Sequence, residues 1–307
     1  MKIYLNNPKE SWVVDRFRKE WLENNSSIST KKVNSADIIW IISPWTWKKI
    51  GYRHLKNKKV ICTIHHIDED KFDKNEEINF YERDSIVDEY HAISDPTYKQ
   101  LRKLTNKKIN NIPFWINNNI WFEIEDKELN RKMLNIPKES FVIGSFQRDT
   151  EGSDLKSPKL SKGPDQFLEI VENLNANKDN LLVLLSGKRR QYIIEKLEEK
   201  DINYIYFEMV NFELLNKLYN CLDLYIVASR VEGGPASLME CASIKVPIIS
   251  TDVGIASKIL NKDSIFNMSN FHNAKPDIET AYKNSIKYRM PNGFSQYIEM
   301  FKEIYEN

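Results

Sequence analysis

Two glutamates and two adjacent glycines lie within one segment of the chain, between residues 224 and 259. Glu232 directly precedes Gly233-Gly234-Pro235, and Glu240 follows Glu232 by eight residues. Glycines have no Cβ, so a ligand can approach the backbone closely there. Carboxylates accept hydrogen bonds from hydroxyl groups. These residue types at this spacing predict contact with a hydroxyl-rich ligand.

The elements around these residues read as a βαβ unit. The apolar run 224–227 predicts a buried parallel strand, the small residues of 236–244 predict a helix, and 246–250 predicts the next strand. The first amides of a helix lack partners within the helix, and the helix dipole adds partial positive charge there. Together with the glutamates, this layout predicts a diphosphate flanked by two hydroxyl-rich rings, as in a nucleotide-sugar.

The string around these residues resembles the donor-site signature of a known family. Ser229-Arg-Val-Glu-Gly-Gly-Pro235, then Glu240 and the segment Val246 to Gly254, resemble the retaining GT-B glycosyltransferases of the family 4 type, within glycosyl transferases group 1. The alternative is an ordinary Rossmann-like βαβ unit with surface glutamates. The resemblance implies an α/β fold of two Rossmann-like domains facing a central cleft. It also implies transfer of a sugar from a nucleotide-diphosphate-sugar to an acceptor hydroxyl, on a glycan or lipid-linked saccharide, with retention of configuration.

The resemblance also implies roles for individual residues. Arg148, after the predicted strand 141–146, and Lys162, before the predicted helix 166–175, match the two cations that neutralise the diphosphate. Surface charge on a loop is the alternative reading of both residues. The loop 150–161 between them is long and is interpreted as a lid. Glu240 is expected to bind the ribose hydroxyls, and Glu232 to lie near the donor sugar. The nucleotide base is expected beside backbone groups of Met209, Val210 and Asn211.

In the N-terminal half, a histidine follows the predicted strand 60–64. His65 resembles the family's histidine at the mouth of the cleft and is expected to touch the donor sugar or phosphate, with His66 as the second choice. Trp45 and Trp47 follow the predicted strand 37–42. They either stack against a sugar face or form a core edge or interdomain contact.

The resemblance implies two domains joined near residues 113–119. Residues 1–116 form a short acceptor-side domain, 117–293 form the donor-binding domain, and the helix 294–307 is expected to pack back on the first domain. Relatives often carry glycines in the first loop, where this chain has Asn6-Asn7-Pro8. Ser11 is predicted to cap a helix that runs to about residue 22, and residues 271–287 are predicted to form another helix.

Composition limits the classes of partner. The chain has 307 residues with a formal net charge of +1, which disfavours nucleic acid as a partner. Three widely spaced cysteines predict buried thiols in a reducing compartment. Met1-Lys2 leads straight into a strand-like run, which predicts no signal peptide and a cytoplasmic protein. The basic runs at 56–59 and 107–108 are either solvated helix ends or a membrane-surface patch, so peripheral membrane contact stays open.

Two questions concern cofactors and the kind of reaction. Asp68-Glu69-Asp70 matches the Asp-x-Asp pattern that holds a divalent cation in other glycosyltransferases, but the downstream signature favours a metal-independent site without a cofactor. The short first domain also allows a nucleotide-sugar-binding protein without transferase activity. An epimerase or phosphorylase of the same fold is a third hypothesis.

Overall fold

The computed structural model describes residues 1–9 and 13–307 and divides into two compact units. The first unit consists of Met1–Trp115 and Tyr288–Asn307, and the second of Ile116–Lys287. The chain thus returns to the first unit at Tyr288, whereas the sequence prediction had placed that return at 294. The predicted cap at Ser11 lies outside the described residues.

Each unit is built on a parallel β-sheet. The strands are β1 (Ile3–Leu5), β2 (Ser29–Thr30), β3 (Ile38–Ile41), β4 (Lys59–Ile64), β5 (Glu89–Ala92), β6 (Lys108–Asn111), β7 (Phe141–Ser145), β8 (Leu181–Ser186), β9 (Tyr204–Phe207), β10 (Leu224–Val227), β11 (Ile248–Thr251) and β12 (Ile265–Phe266). The first sheet has the order β2-β1-β3-β4-β5-β6, and the second has β12-β11-β10-β7-β8-β9. This confirms the prediction of two Rossmann-like α/β units.

The strand order of the second sheet locates its ligand-binding edge. β7 pairs with both β8 and β10, so the order reverses between β7 and β10. Open parallel sheets bind ligands at the carboxyl ends of the strands where the order reverses. The loops that follow β7 and β10 are therefore where the fold favours a binding site.

Helices cover the strands and supply the rest of the core. They are α1 (Val13–Asn24), α2 (Tyr52–Lys56), α3 (Lys74–Asp84), α4 (Asp95–Arg102), α5 (Lys127–Met133), α6 (Pro164–Asn177), α7 (Gln191–Glu199), α8 (Phe212–Tyr219), α9 (Ala236–Ser243), α10 (Ala256–Ile259), α11 (Ile278–Ile286) and α12 (Ser295–Glu306). Across the two described ranges, no helix is both long enough and apolar enough to span a bilayer.

One helix prediction was wrong in extent. The sequence suggested a single helix over 271–287, but the structure has a 3-10 turn at Phe271–Asn273 and then α11 from Ile278. The Asp277 side chain accepts a hydrogen bond from the Thr280 amide at 2.9 Å and so caps α11. An N-cap residue has non-helical backbone angles, which is why the helix begins only after it.

The last helix of the chain completes the core of the first unit. Tyr297 and Phe301 of α12 are fully buried, and Phe301 packs at 5.4 Å from Trp21 and 5.2 Å from Trp40, measured between ring centroids. Trp115, at the end of the first segment of this unit, donates its indole N–H to Glu20 Oε2 at 2.8 Å. Aromatic packing of this kind makes the two segments of the unit depend on each other.

In the first loop, Asn6 fills a structural role. Its side chain is buried, and the amide nitrogen donates to Thr46 Oγ1 at 2.6 Å while Oδ1 accepts from the Ile42 amide at 2.9 Å. These two bonds fix the end of β1 against the segment that follows β3. The asparagine thus stabilises this loop.

Two buried histidines of the first unit are held neutral. Burial lowers the pKa of His65 to about 4 and that of His91 to about 3. His65 Nε2 lies 2.8 Å from the Ile42 carbonyl, and His91 Nε2 lies 2.7 Å from the Ile112 carbonyl. Because a carbonyl oxygen can only accept, the proton of each neutral ring is on Nε2.

We expect both imidazoles to remain neutral Nε2–H tautomers from pH 8 to pH 5.5. Unfolded histidine titrates near pH 6.5, so the unfolded chain takes up these protons first. Each histidine therefore lowers the free energy of unfolding as pH falls below about 6.5, by about 1.4 kcal/mol per pH unit. Burial raises the folded pKa of Asp149, in the second unit, to about 6. Asp149 therefore raises the free energy of unfolding as pH falls below about 6.

Long-range ¹H–¹⁵N spectra of the imidazoles, recorded from pH 8 to pH 5.5, measure the charge of each ring directly. Constant ring shifts for His65 and His91 are the expected result. Titration of either ring with a midpoint near 6.5 would contradict the burial of that side chain.

Candidate functional site

The loops that follow β7 and β10 meet where the strand order reverses. Lys162 Nζ forms an ion pair with Glu232 Oε1, and Ser229 Oγ donates to the same oxygen at 3.2 Å. The side chains of Lys162 and Glu232 are 24% and 11% exposed. Gln147 Nε2 donates to the Lys162 carbonyl at 2.9 Å. The structure thus brings together two residues that the sequence analysis had assigned separately.

A close approach of two backbones fixes the position of Lys162. The amide of Arg230 donates to the Ser161 carbonyl at 2.9 Å. Gly163 has a φ of +62°, and a Cβ added there would lie 1.7 Å from the Ala228 carbonyl oxygen. Only glycine fits in this left-handed conformation at this distance. The Lys-Gly pair therefore holds the lysine at a fixed point against the loop that follows β10.

The glycine loop before α9 packs against the turn after β11. Gly254 has a φ of +57°, and a Cβ there would lie 2.6 Å from the Gly233 carbonyl oxygen. Thr251 Oγ1 donates to the Ser229 carbonyl at 2.6 Å. Pro235 directly precedes α9, so Gly233 and Gly234 lie just before the amino end of that helix. β11 and the turn after it thus hold the segment next to a helix N-terminus, a place that favours anions.

Arg148 is exposed, and within residues 1–9 and 13–307 its side chain makes no ion pair or hydrogen bond. Its backbone is nevertheless anchored by the next residue. Asp149 is buried, its Oδ2 accepts from Arg190 Nε at 2.9 Å, and its amide donates to the Arg189 carbonyl at 2.9 Å. Arg190 is itself buried and also donates to the Ser186 carbonyl at 3.1 Å. Arg148 is thus an exposed cation on a backbone that its neighbour anchors beside the end of β7.

The sequence analysis did not find the Asp149–Arg190 pair. The two residues are far apart in the chain, and charged residues in polar loops are usually exposed. Burial raises the pKa of Asp149 to about 6, and the neighbouring Arg190 charge opposes that shift. No signal in the sequence marks these two charges as buried.

The loop predicted to be a lid has a defined base. Thr150 and Pro158 form an antiparallel bridge, and the Lys159 amide donates to the Asp149 carbonyl at 2.7 Å. Asp154 at the far end accepts from Ser157 Oγ at 2.6 Å. The segment is a short hairpin-like loop, and its role as a lid stays a prediction.

Glu240 lies on α9 and is 5% exposed. Its Oε2 accepts a hydrogen bond from the Tyr219 hydroxyl at 2.9 Å. Burial, followed by the Glu240 charge, raises the pKa of Tyr219 well above its ordinary value, so this hydroxyl stays protonated. Tyr219 was not among the site residues expected from the sequence.

The three residues expected beside a nucleotide base form the connection between β9 and α8. Met209 is exposed, and the Asn211 side chain accepts from the Leu214 amide at 2.9 Å, which caps α8. The Asn211 side chain is therefore used within the fold. Contact of Met209, Val210 and Asn211 with a base through their backbone groups stays a prediction.

His65 follows β4 directly, at the carboxyl edge of the first sheet. Its ring stacks on Phe114 at 5.7 Å and lies 5.8 Å from the ring of Trp45. Trp45 is 48% exposed, whereas Trp47 is buried and donates to Asn79 Oδ1 at 3.2 Å. Trp47 is therefore a core residue. Trp45 is the tryptophan whose ring face is accessible for stacking against a sugar. His66 is exposed.

The Asp-x-Asp triplet lies at the start of the 3-10 turn Glu69–Lys71, with Asp68 directly before it. Glu69 pairs with Lys103 at 3.4 Å, and its carboxylate also accepts from Gln100 Nε2 at 3.4 Å. In the part of the chain that the structure describes, no three His, Cys, Asp or Glu side chains are grouped as metal ligands would be.

The chain belongs to the glycosyl transferases group 1 family, whose model matches residues 126–297. Its two-unit architecture is the GT-B fold. Among individual proteins, it resembles the O-antigen biosynthesis glycosyltransferase WclY of Escherichia coli, with 25% identity over 145 residues. That match covers 45% of this chain and 36% of WclY, so the chain matches about a third of the length of this curated relative.

Solved structures of low sequence identity share the fold over nearly the whole chain. The structure of Anabaena Alr3699/HepE in complex with UDP and glucose has a TM-score of 0.74 at 13% identity, covering 99% of this chain and 100% of that one. A glycosyltransferase from Rickettsia africae has a TM-score of 0.65 at 20% identity, covering 98% and 84%. The similarity at this level of identity establishes the fold.

Proposed function

We propose that this protein transfers a sugar from a nucleoside-diphosphate-sugar to an acceptor hydroxyl, with retention of anomeric configuration, as in family 4. The observation that carries the proposal is the Lys162–Glu232 pair where the second sheet reverses its strand order. A cation and a carboxylate that neutralise each other without a ligand are suited to a ligand with phosphate and hydroxyl groups side by side. Membership of the glycosyl transferases group 1 family supports the same reaction.

In this proposal the site acts mainly by stabilising charge. The leaving group is a nucleoside diphosphate, and negative charge grows on it as the bond to the sugar breaks. Arg148 supplies a fork of donors and Lys162 a point charge. The segment at Gly233-Gly234-Pro235, before α9, adds backbone amides. Glu232 is then available to the sugar once Lys162 turns to the phosphate.

Retention requires the new bond to form on the face from which the diphosphate departs. The bond between the anomeric carbon and the phosphate oxygen breaks as the bond to the acceptor oxygen forms. The proton of the acceptor hydroxyl passes to an oxygen of the departing phosphate. His65 keeps its assignment to the donor sugar or phosphate, but as a neutral imidazole it adds no charge to the site.

The remaining assignments are narrower proposals. HepE was solved with UDP and with UDP-glucose, so UDP-sugars are the first donors to test. The acceptor is proposed to be a glycan or a lipid-linked saccharide, and the reaction is proposed to need no metal. Cys62, Cys221 and Cys241 are buried thiols, which supports a cytoplasmic location.

Thermal-shift screening with nucleoside diphosphates and their sugars, followed by turnover assays with and without EDTA, tests the proposal. A ligand at 100 times its Kd adds about 2.7 kcal/mol of stability, which is easily seen. The expected result is one preferred nucleotide, followed by release of its diphosphate, undiminished by EDTA. Stabilisation without turnover would favour a non-catalytic binding protein, and an altered sugar without release of diphosphate would favour an epimerase.

Replacing Arg148 with alanine is expected to lower kcat/KM for the donor at least about tenfold, or about 1.4 kcal/mol. The side chain is exposed, so the free energy of unfolding should change by less than about 0.5 kcal/mol. Arg53→Ala, which removes an exposed arginine from the first unit, is the matched control and should retain full kcat/KM. Near-normal turnover by the Arg148 variant would remove this residue from the phosphate site.

A further inference from the structure

A buried tyrosine hydroxyl contacts the glutamate that is expected to bind the ribose. Tyr219 is the last residue of α8, and its hydroxyl donates to Oε2 of Glu240, on α9, at 2.9 Å. Both side chains are at least nine-tenths buried. The bond therefore joins two helices at a point that water barely reaches.

The tyrosine ring is held in place on several sides. Its centroid lies 4.8 Å from Phe146, 5.5 Å from Tyr225 and 5.6 Å from Trp121. Phe146 directly follows β7, at the strand-order reversal. A ring packed against three others has little freedom, so its hydroxyl is a fixed point for the glutamate.

A fixed donor determines how the carboxylate is oriented. An ionised carboxylate has about four lone-pair directions, and the tyrosine hydroxyl occupies one of them on Oε2. Because the tyrosine hydroxyl stays protonated, it remains the donor of this bond and the carboxylate remains the acceptor. The bond therefore holds Oε2 at a fixed point and limits how far the carboxylate can turn toward or away from a ligand's hydroxyls.

We propose that Tyr219 is a positioning residue for ribose recognition: its hydroxyl orients the Glu240 carboxylate so that it accepts hydrogen bonds from the ribose hydroxyls of the donor. The inference rests on the proposed function and on the role that the family resemblance implies for Glu240, which is to bind the ribose. It adds the residue that makes the binding specific for ribose. The ring of Tyr219 packs in the core, and its hydroxyl acts on ligand binding through Glu240.

Isothermal titration of UDP, ADP and GDP and of their 2′,3′-dideoxy forms tests this division. The wild-type protein is expected to bind its preferred ribonucleotide at least about tenfold more tightly than the dideoxy form, since a hydrogen bond to a charged group is lost. Tyr219→Phe keeps the ring and removes only the hydroxyl. It should lower that ratio about fivefold, with the affinity for the dideoxy form unchanged within about twofold.

Two further variants separate the inference from the function on which it rests. Glu240→Gln should lower the same ratio at least as much, and adding Tyr219→Phe to it should have little further effect, because residues that act as one unit are not additive. Tyr204→Phe is the matched control. It also removes a tyrosine–glutamate hydrogen bond, 2.7 Å to Glu198, but at the amino end of β9, away from the ligand edge.

The outcomes are distinct. Equal loss of affinity for both nucleotide forms in Tyr219→Phe, with a ribose-selective loss in Glu240→Gln, would show that the tyrosine is only structural and overturn the inference. The absence of a ribose-selective loss in either variant would overturn the assignment of Glu240 to the ribose. Failure of all three nucleotides to bind the wild-type protein would overturn both.

Discussion

Replacing Lys162 with alanine is expected to lower kcat/KM for the nucleoside-diphosphate-sugar about 100-fold, or about 2.7 kcal/mol. The variant loses a positive charge beside the leaving phosphate. It also leaves Glu232, whose side chain is 11% exposed, without its cation. The uncompensated carboxylate then repels the incoming diphosphate. Lys162→Arg retains the charge and should recover part of the loss.

Steady-state kinetics with the preferred donor measure this effect, and thermal unfolding of the same samples shows whether the variant is folded. Lys196→Ala is the matched control, because it removes the lysine of a surface pair with Glu199 at 2.6 Å on α7. Such pairs contribute little, so its kinetics should match those of the wild-type protein. Full kcat/KM in Lys162→Ala would exclude this lysine from the phosphate site.

The second large effect is expected at Gly163. A Cβ at this position would lie 1.7 Å from the Ala228 carbonyl oxygen, on a backbone with a φ of +62°. Gly163→Ala must therefore move one of two backbones that meet at the site. We expect it to lower the free energy of unfolding by about 3 kcal/mol or more, and to lose donor binding as Lys162 is displaced.

Gly187→Ala separates crowding from backbone strain. Gly187 also has a positive φ, +97°, but a Cβ there would meet no atom within 4 Å. This variant carries the cost of the left-handed conformation alone, about 1 kcal/mol. Scanning calorimetry of both variants gives the comparison. Equal destabilisation would mean that the chains at Gly163 and Ala228 do not approach each other as described.

Several strands of both sheets could be predicted from the sequence because they are apolar runs of the right length, whereas the two-residue strands β2 and β12 are too short to leave that signal. β10 coincides with its predicted range 224–227, and β7 lies within the predicted range 141–146. Buried parallel strands leave this simple signal because both of their faces are covered. The prediction for α11 began too early, although Pro276-Asp277 followed by Thr280 is a helix-start signal that predicts the later beginning.

The contacts within the candidate site could be predicted less well from the sequence. Lys162 could be assigned from its glycine neighbour, but the reason for the glycine is the Ala228 carbonyl, which lies far along the chain. The bond from Tyr219 to Glu240 depends on how α8 is placed against α9. Residue types and local spacing identify candidate groups, whereas the partners of those groups are set by tertiary packing.

The central claim is that a nucleoside diphosphate binds where the second sheet reverses its strand order. A crystal structure with the nucleotide selected by the thermal-shift screen measures this directly. We predict diphosphate density against Gly233-Gly234 at the start of α9, with Lys162 Nζ turned from Glu232 to a phosphate oxygen. A saturating nucleotide bound elsewhere, with the Lys162–Glu232 pair unchanged, would contradict the account.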